Sequence, residues 1–429
     1  MKAMALNTHS RLRYVTFFYL YLMQGIPSGF ALTAIANYLV GKHVAPQTVG
    51  TFIAIVGIPW IIQFIWGPLI DRYQYSVIGH RKQWVVLTQC MATVASLGLL
   101  YVSVPEQQIG LMTAAFFVHS LFASVQDASV DAIAISVVPV AERGRVNAFM
   151  RGGYLVGISL GAAGLSAVLH TYGFHTAVLL QTATLLVFTV CTFFTKLDED
   201  DRLMPAFFHR NQAPPKPAGK NPPAKYLFRK LFRGILRKES LQQFGVIAGV
   251  YVCFSIFIRS YTYHIIHVLG WADQSVSVLQ GSWGSLLTFV VIIGGGAVSD
   301  RIGAKKLQQR VMWGVAVFLL LLNGLSAWWG THALTSAGLV LWNFADPLFS
   351  VASFPVLMSM CDHEVEGSQF TAYMAIINFC DVAGSYVTGW ALTIFPAPAI
   401  GFTCGVVMLL LITGFRRLRT VNHLPVKQV

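Results

Sequence analysis

The stretch GAVSDRIGAKK, residues 296–306, ends a long run of Phe, Val, Ile and Gly with an Asp-Arg pair, a glycine and two lysines. GPLIDRY, residues 67–73, ends an earlier apolar run in the same way. Asp71 and Asp300 are 229 positions apart, as are Arg72 and Arg301, and Gly41 and Gly270. After Arg72 the first half carries five extra residues, Gln74 to Ile78, and the offset becomes 224. Gly79 then matches Gly303, and Ala148-Phe149-Met150 matches Ala372-Tyr373-Met374. Two offsets related by one insertion make the chain a duplicated unit.

The runs that these motifs terminate decide what the unit is. The 429 residues are 55% hydrophobic and 11% charged, with a mean hydropathy of +0.62. The surface of a soluble chain this long needs far more charge. Apolar blocks recur at about 14–39, 49–70, 84–104, 109–138, 147–169, 174–195, 242–267, 274–298, 309–329, 333–361, 369–392 and 398–415. Each is long enough to cross a bilayer as a helix. A spanning helix satisfies its own backbone hydrogen bonds in lipid. The fold class is therefore an all-α membrane protein with twelve transmembrane helices in two six-helix bundles. Residues 1–195 hold the first bundle, 196–241 a linker, and 242–429 the second.

The net charge of +13 raises the question of a nucleic-acid partner, and its placement argues against one. With the N-terminus in the cytoplasm, 28 of the 30 Lys and Arg residues fall on the cytoplasmic side, Arg143, Arg145 and Arg151 between the fourth and fifth helices among them. Lys42 alone faces out, and Arg259 lies inside a helix as the one intramembrane cation. Such asymmetry orients a membrane protein and puts both termini in the cytoplasm. The six cysteines all fall in expected helices without CxxC spacing, so neither a disulfide framework nor a metal cluster is expected. Residues 1–35 have a basic start and a small-residue site at Ala34-Ile35-Ala36, but the apolar run is too long for a signal peptide.

The linker differs in kind. Six prolines between Pro205 and Pro223 read as an extended segment. KYLFRKLFRGILRK, 225–238, then sorts Leu227, Phe228, Leu231, Phe232, Ile235 and Leu236 from Lys225, Arg229, Lys230, Arg233, Arg237 and Lys238 at helical spacing. This pattern fits a helix lying on the inner leaflet, with docking to a partner as the alternative.

Ionisable groups inside a bilayer are costly, so each is a functional candidate. The fourth helix presents Ser120, Ser124, Asp127 and Asp131 on one face. Counted back from Pro139, Asp127 lies roughly 18 Å deep and Asp131 roughly 12 Å. Asp127 is a candidate for contact with cargo or a proton, and Asp131 for a cytoplasmic gate with Arg72 or Arg145. Asp346, Asp381 and Arg259 are intramembrane in the second half. Arg259 paired with either aspartate gives a fixed ion pair or a clamp for a cargo carboxylate; an unpaired aspartate suits a proton carrier. The sequence does not choose among these. His264 and His267 supply too few ligands for a metal. Trp60, Trp66, Trp283 and Trp342 lie within helices, to pack or to line a pocket. Gly153, Gly157 and Gly161 form a stripe for close helix contact. GISLG, 157–161, fits the hydrolase pattern GxSxG but lies inside a spanning helix with no strand before it. No nucleotide-binding loop, haem motif or nucleophile–base pair occurs, so neither an enzyme nor a bound cofactor is expected.

GAVSDRIGAKK resembles the GxLaDRxGRKx signature of the major facilitator superfamily, with Val298 in place of Leu. QGIPSG (24–29), TVGTF (48–52), FIWGPLIDRY (64–73), GHRKQW (79–84), SVQDASVDA (124–132), AERG (141–144), GSQF (367–370) and Gly389-Trp390 resemble its AmpG-type branch. That branch includes muropeptide permeases and relatives carrying acetyl-CoA or siderophores. The likeness covers most of 14–392. It implies a cytoplasmic gate of Asp71, Arg72, Asp131, Arg145, Asp300 and Arg301. Gln63 stands where muropeptide permeases tend to have Lys, and Asp381 where a basic residue is expected, so a siderophore is a competing cargo.

The resemblance and the polar residues together point to a proton-coupled importer of the bacterial inner membrane, functional as a monomer. A bulky amphipathic solute such as an anhydromuropeptide, protons and the lipid bilayer are its partners. Gln24, Ser28, Gln63 and Asp127 are expected to face the pocket from the first half, and Arg259, Asp346, Asn378 and Asp381 from the second. A non-transporting membrane sensor acting through 225–238 is the alternative from another class.

Overall fold

The apolar runs become helices whose breaks are set by proline and by wide π turns. The computed structural model describes residues 5–73, 78, 81–139, 142–198, 201, 224–283, 291, 298, 301–360 and 366–421. Helix α1 runs Ser10–Gly41, with Pro27 inside it and a π turn at Phe30–Ile35. Proline removes one ladder bond and a π turn widens the helix, so α1 bends at mid-membrane. Helix α2, Pro46–Ile65, starts on a proline and carries Pro59. Its regular part stops at Ile61, a single 3₁₀ turn covers Gln63–Ile65, and Trp66–Arg72 completes the span. That break sets Gln63 apart from the regular ladder.

Helix α3 (Lys82–Tyr101) packs between α4 (Ile109–Val137) and α6 (Phe174–Phe194), while α5, which runs Arg143–Ser159 and on through a π turn to Leu165–Tyr172, packs along α1. The linker contributes α7, Ala224–Ile235. A Cβ on Gly234 would stand 3.0 Å from the Gln369 amide, so α7 lies across the end of the second bundle. Arg229, Phe232 and Arg233 are exposed on it. The second bundle contains α8 (Lys238–Tyr263), α9 (Asp273–Val278), α10 (Ala304–Gly324), α11, α12 (Glu366–Ala391) and α13 (Ala397–Val421). Helix α11 is split into His332–Trp342 and Ala345–Ser359. Asp346 thereby falls in the first turn of the second piece, where the helix dipole favours a carboxylate.

The twelve expected spans coincide with these helices, the eighth only in part because 284–290 and 292–297 lie outside the described residues. Among the described residues nine stretches are both long and apolar enough to cross a membrane on their own. Helix α10 falls short because it opens on AKKLQQR, and α12 because it carries Gln369, Asn378 and Asp381 among its apolar residues. No strand occurs among the described residues; Ala5 and Lys196 form an isolated bridge.

Glycine sets the closest packing. A Cβ on Gly157 would meet the backbone of Leu22 and Gly25, and one on Gly161 the carbonyl of Ile26. The α5 stripe thus seats α1 backbone to backbone, as its spacing implies. The seam between the two bundles is built the same way. A Cβ on Gly50 would stand 2.7 Å from the Ser385 carbonyl, and one on Gly389 2.7 Å from that of Pro46, so α2 and α12 are in near-backbone contact across the bundles.

Candidate functional site

Most polar residues singled out inside the membrane converge between the two bundles. The break in α2 presents Gln63, whose Nε2 donates to Asp127 Oδ2 on α4 at 2.5 Å. Tyr21 Oη of α1 donates to Asp131 Oδ1 one turn further along α4. Trp66 Nε1 donates to Ser124 Oγ at 3.1 Å. Gln24 and Ser28 line a water-sized void of about 10 Å³ with Trp60, His119 and Ser120. From the second bundle, Arg259 donates Nη1 and Nη2 to the two oxygens of Asp381, both at 3.0 Å, and Nη1 also reaches Ser255 Oγ at 2.9 Å. This parallel pairing decides what the sequence left open: Arg259 is clamped to Asp381, not to Asp346.

Asp346 has a different partner. It meets Arg151 of α5 at 3.7 Å, a pair that joins the two bundles, and accepts a hydrogen bond from Ser350 Oγ at 3.3 Å. Arg151 therefore corrects the sequence reading that counted it among loop cations and made Arg259 the one intramembrane cation. It sits eight residues into α5, roughly 12 Å from the helix start, and lies over the Tyr154 ring. Its position just after a basic turn hid it; the signal was that Arg151 follows Ala148-Phe149-Met150, a matched repeat segment inside the fifth span. Tyr154, which Arg151 covers, lines the same cavity as Arg259. Asn378 Nδ2 donates to the Trp60 carbonyl at 3.3 Å, a second cross-bundle tie.

The chamber thus holds two kinds of carboxylate. Asp346 and Asp381 have guanidinium partners. Asp127 and Asp131, among the described residues, have neutral donors only. A cavity of about 260 Å³ adjoins, lined by Ser28, Thr33, Asn37 and Tyr154 from the first bundle and by Arg259, Thr262 and Gln280 from the second. It offers one cation and several amides and hydroxyls. Its remaining walls are aliphatic, including Leu32, Ile53, Ile158 and Ile258. Such a site suits a solute with an acidic group and an apolar body.

The bundles close over this cavity at the end away from the basic loops. Asn37 Nδ2 donates to Ser277 Oγ (2.9 Å) and Gln280 Oε1 (2.8 Å). Ser159 Oγ donates to the Gly281 carbonyl. The serine of the hydrolase-like GISLG is thus a helix-contact group. His43 and His267 meet Nδ1 to Nδ1 at 3.1 Å, and His264 packs on Trp329, so His264 and His267 point to different neighbours. No group of three metal-ligating side chains occurs among the described residues. Trp342 packs against Phe254 and Phe257, away from the chamber.

Of the expected gate, Asp300 and the side chains of Asp71, Arg72 and Arg145 lie outside the described residues, as does the side chain of Trp283. Arg301 is exposed, and Asp131 is held by Tyr21. Other basic residues counted as loop charge are built into the helix ends. Arg13 is 4% exposed and bonds Glu142 at 2.8 Å; Lys82 is 2% exposed and donates to the Phe193 carbonyl at 2.8 Å.

Comparison with known proteins agrees with this architecture. The family model "Major Facilitator Superfamily" matches residues 14–385. The "Anhydromuropeptide permease" of Escherichia coli (strain K12) is 22% identical over 376 residues, covering 85% of this chain and 71% of the permease. The "Putative transporter AmpG 3" of Rickettsia prowazekii (strain Madrid E) is 28% identical over 117 residues, 26% of this chain and 28% of its own. The crystal structure of the nucleoside transporter NupG superposes with a TM-score of 0.67 at 13% identity, covering 95% of this chain and 99% of that one, which shows a common fold. With a family model that spans most of its length and a chamber of charged groups between paired bundles, the chain belongs to the Major Facilitator Superfamily: it is a multi-pass membrane transporter and not an enzyme.

Proposed function

We propose that the protein is a proton-coupled importer of the bacterial inner membrane whose cargo is a bulky amphipathic solute with an acidic group, of the anhydromuropeptide type. The observation that carries this reading is the division of the chamber carboxylates. The Arg259–Asp381 and Arg151–Asp346 pairs offer guanidinium groups that an acidic cargo group can share. Asp127, bonded to an amide, is free to carry a proton. The hydroxyls, amides and aliphatic walls of the adjoining cavity fit the mixed surface of a sugar–peptide. The likeness to an anhydromuropeptide permease supports the cargo class. The basic loops support an orientation with the closed end of the chamber outside, both termini inside, and the mouth toward the cytoplasm. Residues 12–195 and 242–419 rock about the chamber as units, and 225–238 rests on the inner leaflet.

The test is accumulation in proteoliposomes under an imposed pH gradient, acid outside. Labelled anhydromuramyl tripeptide is expected to concentrate inside, and a protonophore to abolish the gain. Concentration of a ferric siderophore in its place would move the cargo to the siderophore carriers of the same branch. Uptake of either that ignores the protonophore would refute proton coupling.

A further inference from the structure

At the closed end of the transporter an imidazole comes within ion-pair distance of a buried carboxylate oxygen of the other bundle. His170 lies in the last turn of α5, and Asp273 opens α9 in the other bundle. His170 Nδ1 faces the Ser166 carbonyl at 2.8 Å, and its Nε2 faces Asp273 Oδ2 at 2.9 Å. Both partners are acceptors. A neutral ring carries one N–H and would turn a lone pair toward one of them. The imidazolium has an N–H for each. Asp273 Oδ2 is buried and makes no hydrogen bond among the described residues, so a charged ring beside it is what would satisfy it. The His170 and Asp273 side chains are 27% and 15% exposed, so parting the bundles releases both to water. Gly41 packs against the Asp273 side chain, and a Cβ there would stand 3.1 Å from Oδ1, which holds the carboxylate in place.

We propose that His170 and Asp273 form a proton-carrying latch: closure of the outer end takes up a proton on His170, and opening releases it. The proton-binding site is distinct from the chamber carboxylates. It rests on the proton-coupled reading above and adds to it a second step at which protons bias the cycle. A proton arriving from outside would favour the state in which the cargo has already passed the outer gate. The other titratable groups around the latch are accounted for. Tyr38 stacks edge-on against the His170 ring and donates to Glu106, and Lys42 lies over the Tyr38 ring. His175 contacts the Leu100 carbonyl. The His43–His267 contact needs one donor and one acceptor, which two neutral rings supply.

The experiment reads the outer opening directly, without cargo. Spin labels are placed at Tyr172→Cys and Val268→Cys, exposed positions on the two bundles, in full-length protein with its native cysteines replaced, in lipid nanodiscs. Electron–electron distance distributions are recorded between pH 8.5 and 5.5. The closed-to-open ratio is expected to rise on acidification by about fivefold or more, the range of ordinary coupling energies. His170→Gln is expected to abolish the rise, and His170→Arg to hold the end closed at every pH. Replacing His43 and His267 with Gln is expected to leave the rise intact. A rise that persists in His170→Gln, or a closed fraction that falls with acid in the parent, would overturn the latch. Size-exclusion profiles matching the parent exclude misfolding, and the permanent cation of His170→Arg provides a gain of closure that damage cannot mimic. Loss of the latch with protonophore-sensitive uptake intact would leave the proposed function standing. The converse result would leave the latch standing.

Discussion

Asp381→Asn is expected to impair both folding and uptake, and more severely than Arg259→Gln. The pair is bidentate, but its members are unequally exposed: the Arg259 side chain is 18% exposed and that of Asp381 49%. Removing the carboxylate strands a guanidinium with little access to water. Removing the guanidinium strands a carboxylate that water already reaches. Breaking a fully buried pair costs about 3–5 kcal/mol, and the half-exposed aspartate reduces this to on the order of 2 kcal/mol. Thermal unfolding in detergent should show the larger loss for Asp381→Asn, and proteoliposome uptake should fall by about tenfold or more for both. The swap of Arg259→Asp with Asp381→Arg is expected to recover stability and leave uptake low, because the cation has moved to the other helix. Equal, small losses for the two single variants would show the pair to be a surface contact.

Asp127→Asn is the second large effect. The amide keeps the size of the carboxylate and its contact with Gln63, so the fold should be retained. What it removes is a carboxylate that can hold a proton. Accumulation driven by a pH gradient is expected to fall by about tenfold or more. Exchange of labelled for unlabelled cargo with no gradient should continue. Loss of both activities would assign Asp127 to cargo binding, and retention of both would remove it from the mechanism.

The sequence disclosed the fold to a large extent, and the reasons are physical. Lipid forces long apolar helices, and the matched Asp-Arg motifs at residues 71 and 300 report the duplication in characters that survive divergence. The glycine stripe on α5 was legible because only glycine permits the backbone contact it makes with α1. The site was legible as a set of residue types but not as a set of pairs. Asp127, Asp346, Asp381 and Arg259 stand out because charge is rare in such runs. Which aspartate holds Arg259 depends on how α8 and α12 face each other, and nothing local encodes that. Arg151 was misplaced because a basic residue two turns past a basic loop carries the same local pattern as the loop. The closed end was missed for another reason. Asn37, His43, His170, Asp273 and Gln280 are single polar residues near helix ends, where polarity is ordinary, and their significance comes only from meeting across the bundles.

The central claim is that one chamber between the bundles is reached from the two sides of the membrane in turn. Ser28 lies in the wall of that chamber, on the side covered by the closed end. The most direct test is a single cysteine, Ser28→Cys, in protein otherwise free of cysteine, exposed to a membrane-impermeant thiol reagent from either side of sealed vesicles. Alternating access predicts labelling from both sides, with cargo or a pH gradient raising one rate while lowering the other. Labelling from one side only under every condition, or labelling only by a lipid-soluble reagent, would contradict it.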